Sequence, residues 1–345
     1  MIHGELPDPR FPGLIRLSDV EPEKLLWLWP RYIPLAKFTL LEGDPSTGKS
    51  TLTMDIAAAV SRGHAMPDGS HSDLEEPRTV MVWASEDGAG DTLQPRAEAA
   101  KGDLSRLVIW DEKIPTPDLG ELGEIRALLT AWRPVLLILD PLVAFLPSGV
   151  NANSDAEIRR VLSPLAALAG ELGVAILGIR HLRKAGGRAL YAGGGSIGFT
   201  AAARSVLVAG RTGDGRRVLA QAKSNLGPLA PSLAYEIEPV DLPNGISASC
   251  IRWLGQVDVT ADQLTAPPEL GFATPALGDA EEFLRDLLGS EALPAKEVFA
   301  IAKEEGLSQR TVRRAKEKLQ IKSIRDGFGS GSQVRWRLPE PPAEA

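Results

Sequence analysis

The sequence predicts an α/β fold: a mostly parallel sheet with an antiparallel edge, followed by a small C-terminal module of three helices and a hairpin. Three observations predict it. Apolar runs that read as buried strands alternate with helical segments through residues 37–240. The clearest run, Pro134 to Leu139 ending in Asp140, is apolar throughout, as strands covered on both faces are. Beyond residue 278 the pattern changes to short amphipathic helices and two strands around a Gly-Ser turn.

In chain order, residues 1–36 form a Pro-rich, irregular lead-in. Trp27, Leu28 and Trp29 stand just before the first core strand, either as a plug over the sheet or as a subunit contact or platform near a nucleotide base. Phe38 to Leu41 reads as a buried strand, and Lys49 to Arg62, free of Pro and Gly, as a helix. Between them runs Gly43-Asp44-Pro45-Ser46-Thr47-Gly48-Lys49-Ser50-Thr51, which fits G-x-x-x-x-G-K-[ST] without substitution. Gly43 and Gly48 allow backbone angles that side chains resist, so the loop can aim N–H groups at phosphate oxygens near the positive end of the helix. The pattern gives Lys49 the β- and γ-phosphates and Ser50 a place in a Mg²⁺ shell. A chance Gly-rich turn is the alternative; the strand before and the helix after speak against it.

A polar loop over 63–77 leads to a strand at Thr79 to Ala84, with Ser85-Glu86-Asp87 at its end. Leu107 to Trp110 is a short strand and Glu121 to Trp132 a helix. After Asp140 and a polar loop, Ala156 to Leu172 places Ile158, Val161, Leu162, Leu165 and Leu168 at helical spacing, and Gly173 ends the helix. Val174 to His181 is the next strand, and Gly-rich residues 184–196 read as mobile. Ser205 to Ala209, Arg217 to Ala222 and Leu233 to Ile237 are strands, the first two joined by a turn at Asp214-Gly215. Residues 37–256 thus form one α/β domain and 257–278 an aperiodic linker. Residues 279–338 carry helices at Ala280 to Leu288, Pro294 to Glu305 and a third capped by Ser308, then strands at Ile321 to Arg325 and Gln333 to Leu338. That layout is a winged helix-turn-helix. Residues 339–345 read as a disordered tail.

A length of 345 residues fits about two domains. The single cysteine, Cys250, excludes an internal disulfide, suits a reducing compartment and reads as a small apolar filler. No secretory h-region and no apolar run near ~20 residues is present, so the expected location is cytoplasmic, without a membrane. The net charge of -7 is unevenly spread. From Gly306 to Arg337, nine Lys or Arg face only Glu317 and Asp326, a segment of +7 that leaves -14 for the rest.

Hydrolysing a nucleoside triphosphate takes a carboxylate for Mg²⁺, a group that places the attacking water, and a cation that offsets developing charge. Asp140, at the carboxyl end of a buried strand, suits the first role; capping the turn before Pro141 is the plainer reading. Glu86 suits the second, with Asp87 in competition and a solvated loop carboxylate as the alternative for either. His181, ending the neighbouring strand, suits a hydrogen bond to the γ-phosphate, against a plain surface histidine. Gln309, Arg310, Arg313, Arg314 and Lys316 on the third C-terminal helix suit DNA recognition, with Arg325, Arg335, Trp336 and Arg337 at the backbone or minor groove. A solvated basic face is the alternative there.

Gly43 to Thr51, Ser85-Glu86-Asp87, Leu139-Asp140 and Arg180-His181-Leu182-Arg183-Lys184 together resemble the RecA-type ATPases over residues 20–240. The branch they resemble is the plasmid RepA-like hexameric helicases with their phage and mobile-element relatives. The resemblance implies a RecA-like P-loop core, a homohexameric ring with ATP between neighbours, and Mg²⁺. It matches Glu86 to the catalytic glutamate, Asp140 to the Mg²⁺-associated aspartate and His181 to the γ-phosphate sensor. It implies that the loops after Asp140 and His181 line a channel for single-stranded DNA, with Arg188 and Tyr191 as contacts by charge and stacking. Relatives carry a Lys-x-Arg pair that reaches the neighbour's γ-phosphate. Here Lys223-Ser224-Asn225 keeps the lysine and lacks the arginine, so Arg204, Arg211 or Arg216 would substitute. The expected function is a DNA-dependent ATPase, a replicative helicase or DNA-remodelling motor acting on single- and double-stranded DNA. The alternatives are an ATP-switched DNA-binding regulator and a recombinase-like filament.

Overall fold

The computed structural model describes residues 14–74, 76–111, 113–115, 117–182, 196–243, 245–266, 275–288, 293–304, 307, 309–326 and 333–338. The elements run β1 (Trp27–Trp29), β2 (Ile33–Pro34), β3 (Phe38–Gly43), α1 (Lys49–Arg62), β4 (Val80–Ala84), α2 (Gln94–Ala99), β5 (Leu107–Ile109), α3 (Leu122–Trp132) and β6 (Leu136–Asp140). They continue with α4 (Asp155–Leu172), β7 (Ala175–His181), α5 (Gly198–Ala202), β8 (Ser205–Arg211), β9 (Arg217–Ser224), β10 (Ser232–Asp241), β11 (Ser247–Val257) and α6 (Ala261–Thr265). The C-terminal set is α7 (Pro275–Leu288), β12 (Leu293–Pro294), α8 (Ala295–Glu304), α9 (Gln309–Lys318), β13 (Lys322–Asp326) and β14 (Gln333–Arg337).

Nine strands form one sheet in the order β11-β10-β9-β8-β3-β7-β6-β4-β5. The six from β8 to β5 are parallel, and β9, β10 and β11 add on antiparallel. The expected mostly parallel sheet with an antiparallel edge is what forms. Alternation along each strand splits the core into two layers. Leu136 and Ile138 face the side where α1 packs with Leu52 and Ile56. Leu137 and Leu139 face the side of α3 and α4, with Ile125, Ile158 and Leu165. Because β3, β4, β6 and β7 are parallel, their carboxyl ends all open on one edge, where ligands bind in such sheets.

Caps set the helix bounds. Gly63 takes φ 65° at the end of α1, and its N–H returns to Ala59 and Val60. The Ser154 hydroxyl accepts from the Glu157 amide at the start of α4, and Gly173 at φ 72° closes it. The C-terminal residues form a separate small core in which Leu284, Leu288, Val298, Val312, Ala315, Ile321 and Trp336 are buried, beside a sheet of order β12-β14-β13.

Several stretches depart from the sequence expectation. Residues 27–34, expected to be irregular, form the antiparallel ribbon β1–β2. Trp29 is fully buried and stacks on Tyr32 at 4.2 Å, so it acts as a plug. The segment 89–99 folds as a π-helical turn and α2, and β11 completes the sheet where no strand was expected. Within the range expected as linker, Thr260 and Gln263 make a capping box for α6, and Ala261 is buried against Val208 and Val218. Ser308, the 339–345 tail and much of the 184–196 stretch lie outside the described residues.

The antiparallel strands curl back over α1. Trp253 on β11 donates its indole N–H to Asp55 of α1 at 2.8 Å. Burial pushes the Asp55 carboxyl up to about 6, against the pull of that bond. A raised carboxyl favours folding fully below its unfolded value of 3.8, and the advantage is lost as pH rises through about 6. Asp55→Asn keeps an acceptor for Trp253 and cannot ionise. It is expected to raise unfolding stability at pH 8 by up to about 3 kcal/mol and to change little at pH 4, read from urea unfolding at both pH values.

Candidate nucleotide site

The phosphate loop joins β3 to α1 at the open edge of the sheet. Gly48 sits at φ 90°, a left-handed conformation that favours glycine, and Ser46 at φ 63° shares the turn. A Cβ on Gly43 would lie 2.3 Å from the Ala209 carbonyl oxygen, so only glycine lets β8 approach so closely. Lys49 is buried, and its Nζ donates to the carbonyls of Gly43 at 2.9 Å and Asp44 at 2.8 Å. His181 Nδ1 lies 3.3 Å from the same Nζ. Pro45, Thr47 and Thr51 complete the loop and first turn, with the Thr47 hydroxyl donating to Asp44 O at 2.9 Å.

The four expected site residues come together. Asp140 ends β6. Burial pushes Asp140 up, the Ser50 hydroxyl and the Lys49 charge pull it down, and the charges of Asp87 and Glu86 raise it further. Burial lowers the Lys49 ammonium, while Asp140, Asp44 and Glu86 oppose that shift. Burial and the adjacent Lys49 charge lower His181, which holds the imidazole neutral at neutral pH. Asp87 pairs with Arg96 of α2 at 2.5 Å. Glu86 is exposed just beyond β4 and has no ion-pair partner among the described residues. The Glu86–Asp87 ambiguity of the sequence thus has a geometric difference, carried by an arginine in an unforeseen helix.

The donor set fits a magnesium nucleotide. Among the described residues no group of three or more His, Cys, Asp or Glu could hold a metal alone. Mg²⁺ takes few protein ligands and the rest from water and phosphate, so a hydroxyl–carboxylate pair such as Ser50–Asp140 suits it. The loop amides and Lys49 suit the phosphates.

A family model described as an AAA domain matches residues 7–187, more than half of the sequence. The chain belongs to the AAA domain family. As an AAA domain protein it is an ATP-hydrolysing P-loop NTPase. Among solved structures, one ATPase domain is similar to this AAA domain protein at 17% identity and a TM-score of 0.43, over 58% of this chain and 81% of that one. No curated protein matches.

Other expected residues lie elsewhere. Lys223 turns inward and donates to the carbonyls of Thr200 at 2.7 Å and Ala203 at 2.8 Å. Arg216 pairs with Asp214, Arg211 lies 3.4 Å from the Ser46 carbonyl of its own loop, and Arg204 is exposed. Arg188 and Tyr191 lie outside the described residues. On α9, Gln309 and Arg313 are exposed, with the Arg313 guanidinium 5.5 Å over Phe299 and Lys316 Nζ 5.1 Å over Trp336. Arg310 and Arg314 share that helix, and Arg335 and Arg337 lie on β14.

Sequence reading missed the pair behind the loop. Arg180 of β7 is ion-paired to Glu42 of β3, with both side chains buried. The signal was present: a glutamate inside an apolar strand, two positions of charge on adjacent strands. Arg180→Leu would leave Glu42 buried without its countercharge and is expected to cost about 3–5 kcal/mol of stability by urea unfolding, whereas Glu42→Leu combined with Arg180→Leu recovers most of it.

Proposed function

We propose that this AAA domain protein is a DNA-dependent ATPase, a homohexameric helicase or DNA-remodelling motor of a plasmid, phage or mobile element. The observation that carries the ATPase part is the convergence of Lys49, Ser50, Asp140, Glu86 and His181 on one sheet edge. Lys49 and the amides of the Gly43–Thr51 loop hold the phosphates of ATP. Ser50 and Asp140 hold Mg²⁺, which supplies charge neutralisation on the transferring phosphoryl group. Glu86 orients the attacking water, and neutral His181 donates to the γ-phosphate. Arg204 is the supported candidate for a cation acting on a neighbour, since Lys223 and Arg216 are engaged within their own subunit.

The DNA part rests on the +7 C-terminal segment and on the arrangement of three helices and a three-stranded sheet, which we read as a winged helix. Gln309, Arg310, Arg313, Arg314 and Lys316 on α9 meet duplex DNA, with Arg335 and Arg337 on its backbone. Arg188 and Tyr191 meet single strands. An ATP-switched regulator is the second reading, favoured by the inward Lys223 and the uncharged Asn225.

ATP hydrolysis with and without single-stranded DNA tests the first reading, together with strand displacement on a forked duplex. Lys49→Ala is expected to abolish nucleotide binding, and Glu86→Gln to lower kcat by about 100-fold or more. Wild-type turnover no faster than that of Glu86→Gln would favour the switch. For the DNA part, Arg313→Gln with Arg337→Gln in the full chain is expected to weaken duplex binding. It should also flatten the salt dependence of log K by about 0.9 for each phosphate no longer neutralised. An unchanged slope would count against phosphate contacts by these residues.

A further inference from the structure

The antiparallel strands do more than widen the sheet. Tyr235 on β10 is fully buried, and its hydroxyl donates to the Thr47 carbonyl oxygen at 2.8 Å. Thr47 and Gly48 share one planar trans peptide, in which the C=O and the following N–H point opposite ways. Pinning the Thr47 oxygen toward β10 therefore turns the Gly48 N–H away from β10. Among the described residues that amide has no hydrogen-bond acceptor. The same strand closes on the glycine itself, where a Cβ at Gly48 would lie 2.4 Å from Ile237 Cδ1. From β8, Arg211 approaches the preceding carbonyl, Ser46 O, at 3.4 Å.

The brace has a second grip. The Trp253 ring packs on Tyr235 with centroids 5.6 Å apart and bonds Asp55 on α1. One grip thus holds the loop and the other the helix that follows it. Burial holds the Tyr235 phenol above its ordinary range, so the hydroxyl keeps its proton at any pH near neutrality.

We propose that Tyr235 is a positioning residue for ATP binding: its hydroxyl fixes the Thr47–Gly48 peptide so that the Gly48 amide faces the phosphates. The role rests on the phosphate loop being the nucleotide site. It acts through the loop backbone, on the ground state and the transition state alike, so it shifts affinity and leaves the chemical step nearly alone.

The test compares the full-length wild type with Tyr235→Phe, which removes one oxygen and keeps the ring. Titration with a fluorescent ATP analogue and Mg²⁺ gives Kd, and steady-state hydrolysis gives KM and kcat. Kd and KM are expected to rise roughly three- to tenfold, the net worth of one hydrogen bond, with kcat within about twofold. Trp253→Phe keeps the Tyr235 hydroxyl and is expected to lower the urea midpoint with Kd within about twofold of wild type. An unchanged Kd, a fall in kcat at constant KM, an unfolded Tyr235→Phe, or an equal rise in Kd for Trp253→Phe would each make Tyr235 a packing residue and overturn the proposal. A wild type that fails to bind the analogue would instead refute the nucleotide site itself.

Discussion

The buried ion pair between Glu42 and Arg180 sets the geometry on which the site depends. The two residues face each other in register on the parallel strands β3 and β7. One residue further along, β3 becomes the phosphate loop and β7 ends at His181. Arg180 also donates to Ser196 O at 3.0 Å and Thr200 Oγ1 at 3.3 Å, and lies 4.7 Å over the Phe199 ring. A guanidinium fork with several fixed partners suits this junction better than an ammonium would. Desolvation raises Glu42 and the arginine lowers it, so the carboxylate is tolerable only while Arg180 is in place. Glu42 Oε2 finds no donor among the described residues, which makes the dependence on a single partner sharper.

In front of that pair the site carries opposed charges at close quarters. Lys49 stands among Asp140, Asp44 and Glu86, and burial works against the charged form of both Lys49 and Asp140. Arg96 neutralises Asp87 and leaves the remaining carboxylates as the negative side of the site. A hard dication and an anionic nucleotide complement the two halves. The lowered His181 complements them differently: as a neutral ring it offers one donor and one acceptor without adding charge.

The parallel core was legible because its strands are apolar on both faces and end in polar residues. The bounds of α1 match because the motif marks its start and Gly63 its end. Asp140 and His181 stand at strand ends that the apolar runs mark, and Lys49 stands in the phosphate-loop pattern. β11 was not: Ser247, Ser249, Cys250 and Gly255 dilute its pattern, and much of it is exposed. The ribbon β1–β2 was hidden by its prolines, and α6 is only five residues long. Tyr235 and Trp253 gave no local signal for their contacts with the loop, since those depend on how the sheet curls rather than on spacing. Arg96 gave no signal either, because its approach to Asp87 depends on the π-helical turn at Ala89–Leu93 between them.

The curl of β10 and β11 over α1 also bears on how the chain is made. Asp55 and its partner Trp253 are 198 residues apart. At ordinary synthesis rates about 10–40 s separate their emergence from the ribosome. Throughout that interval the phosphate-loop helix exists without the strands that cover its outer face. Pairings of such long sequence separation also slow folding, because the connecting chain must be ordered before the contact rewards it. The nucleotide loop is therefore synthesised well before the strands that brace it.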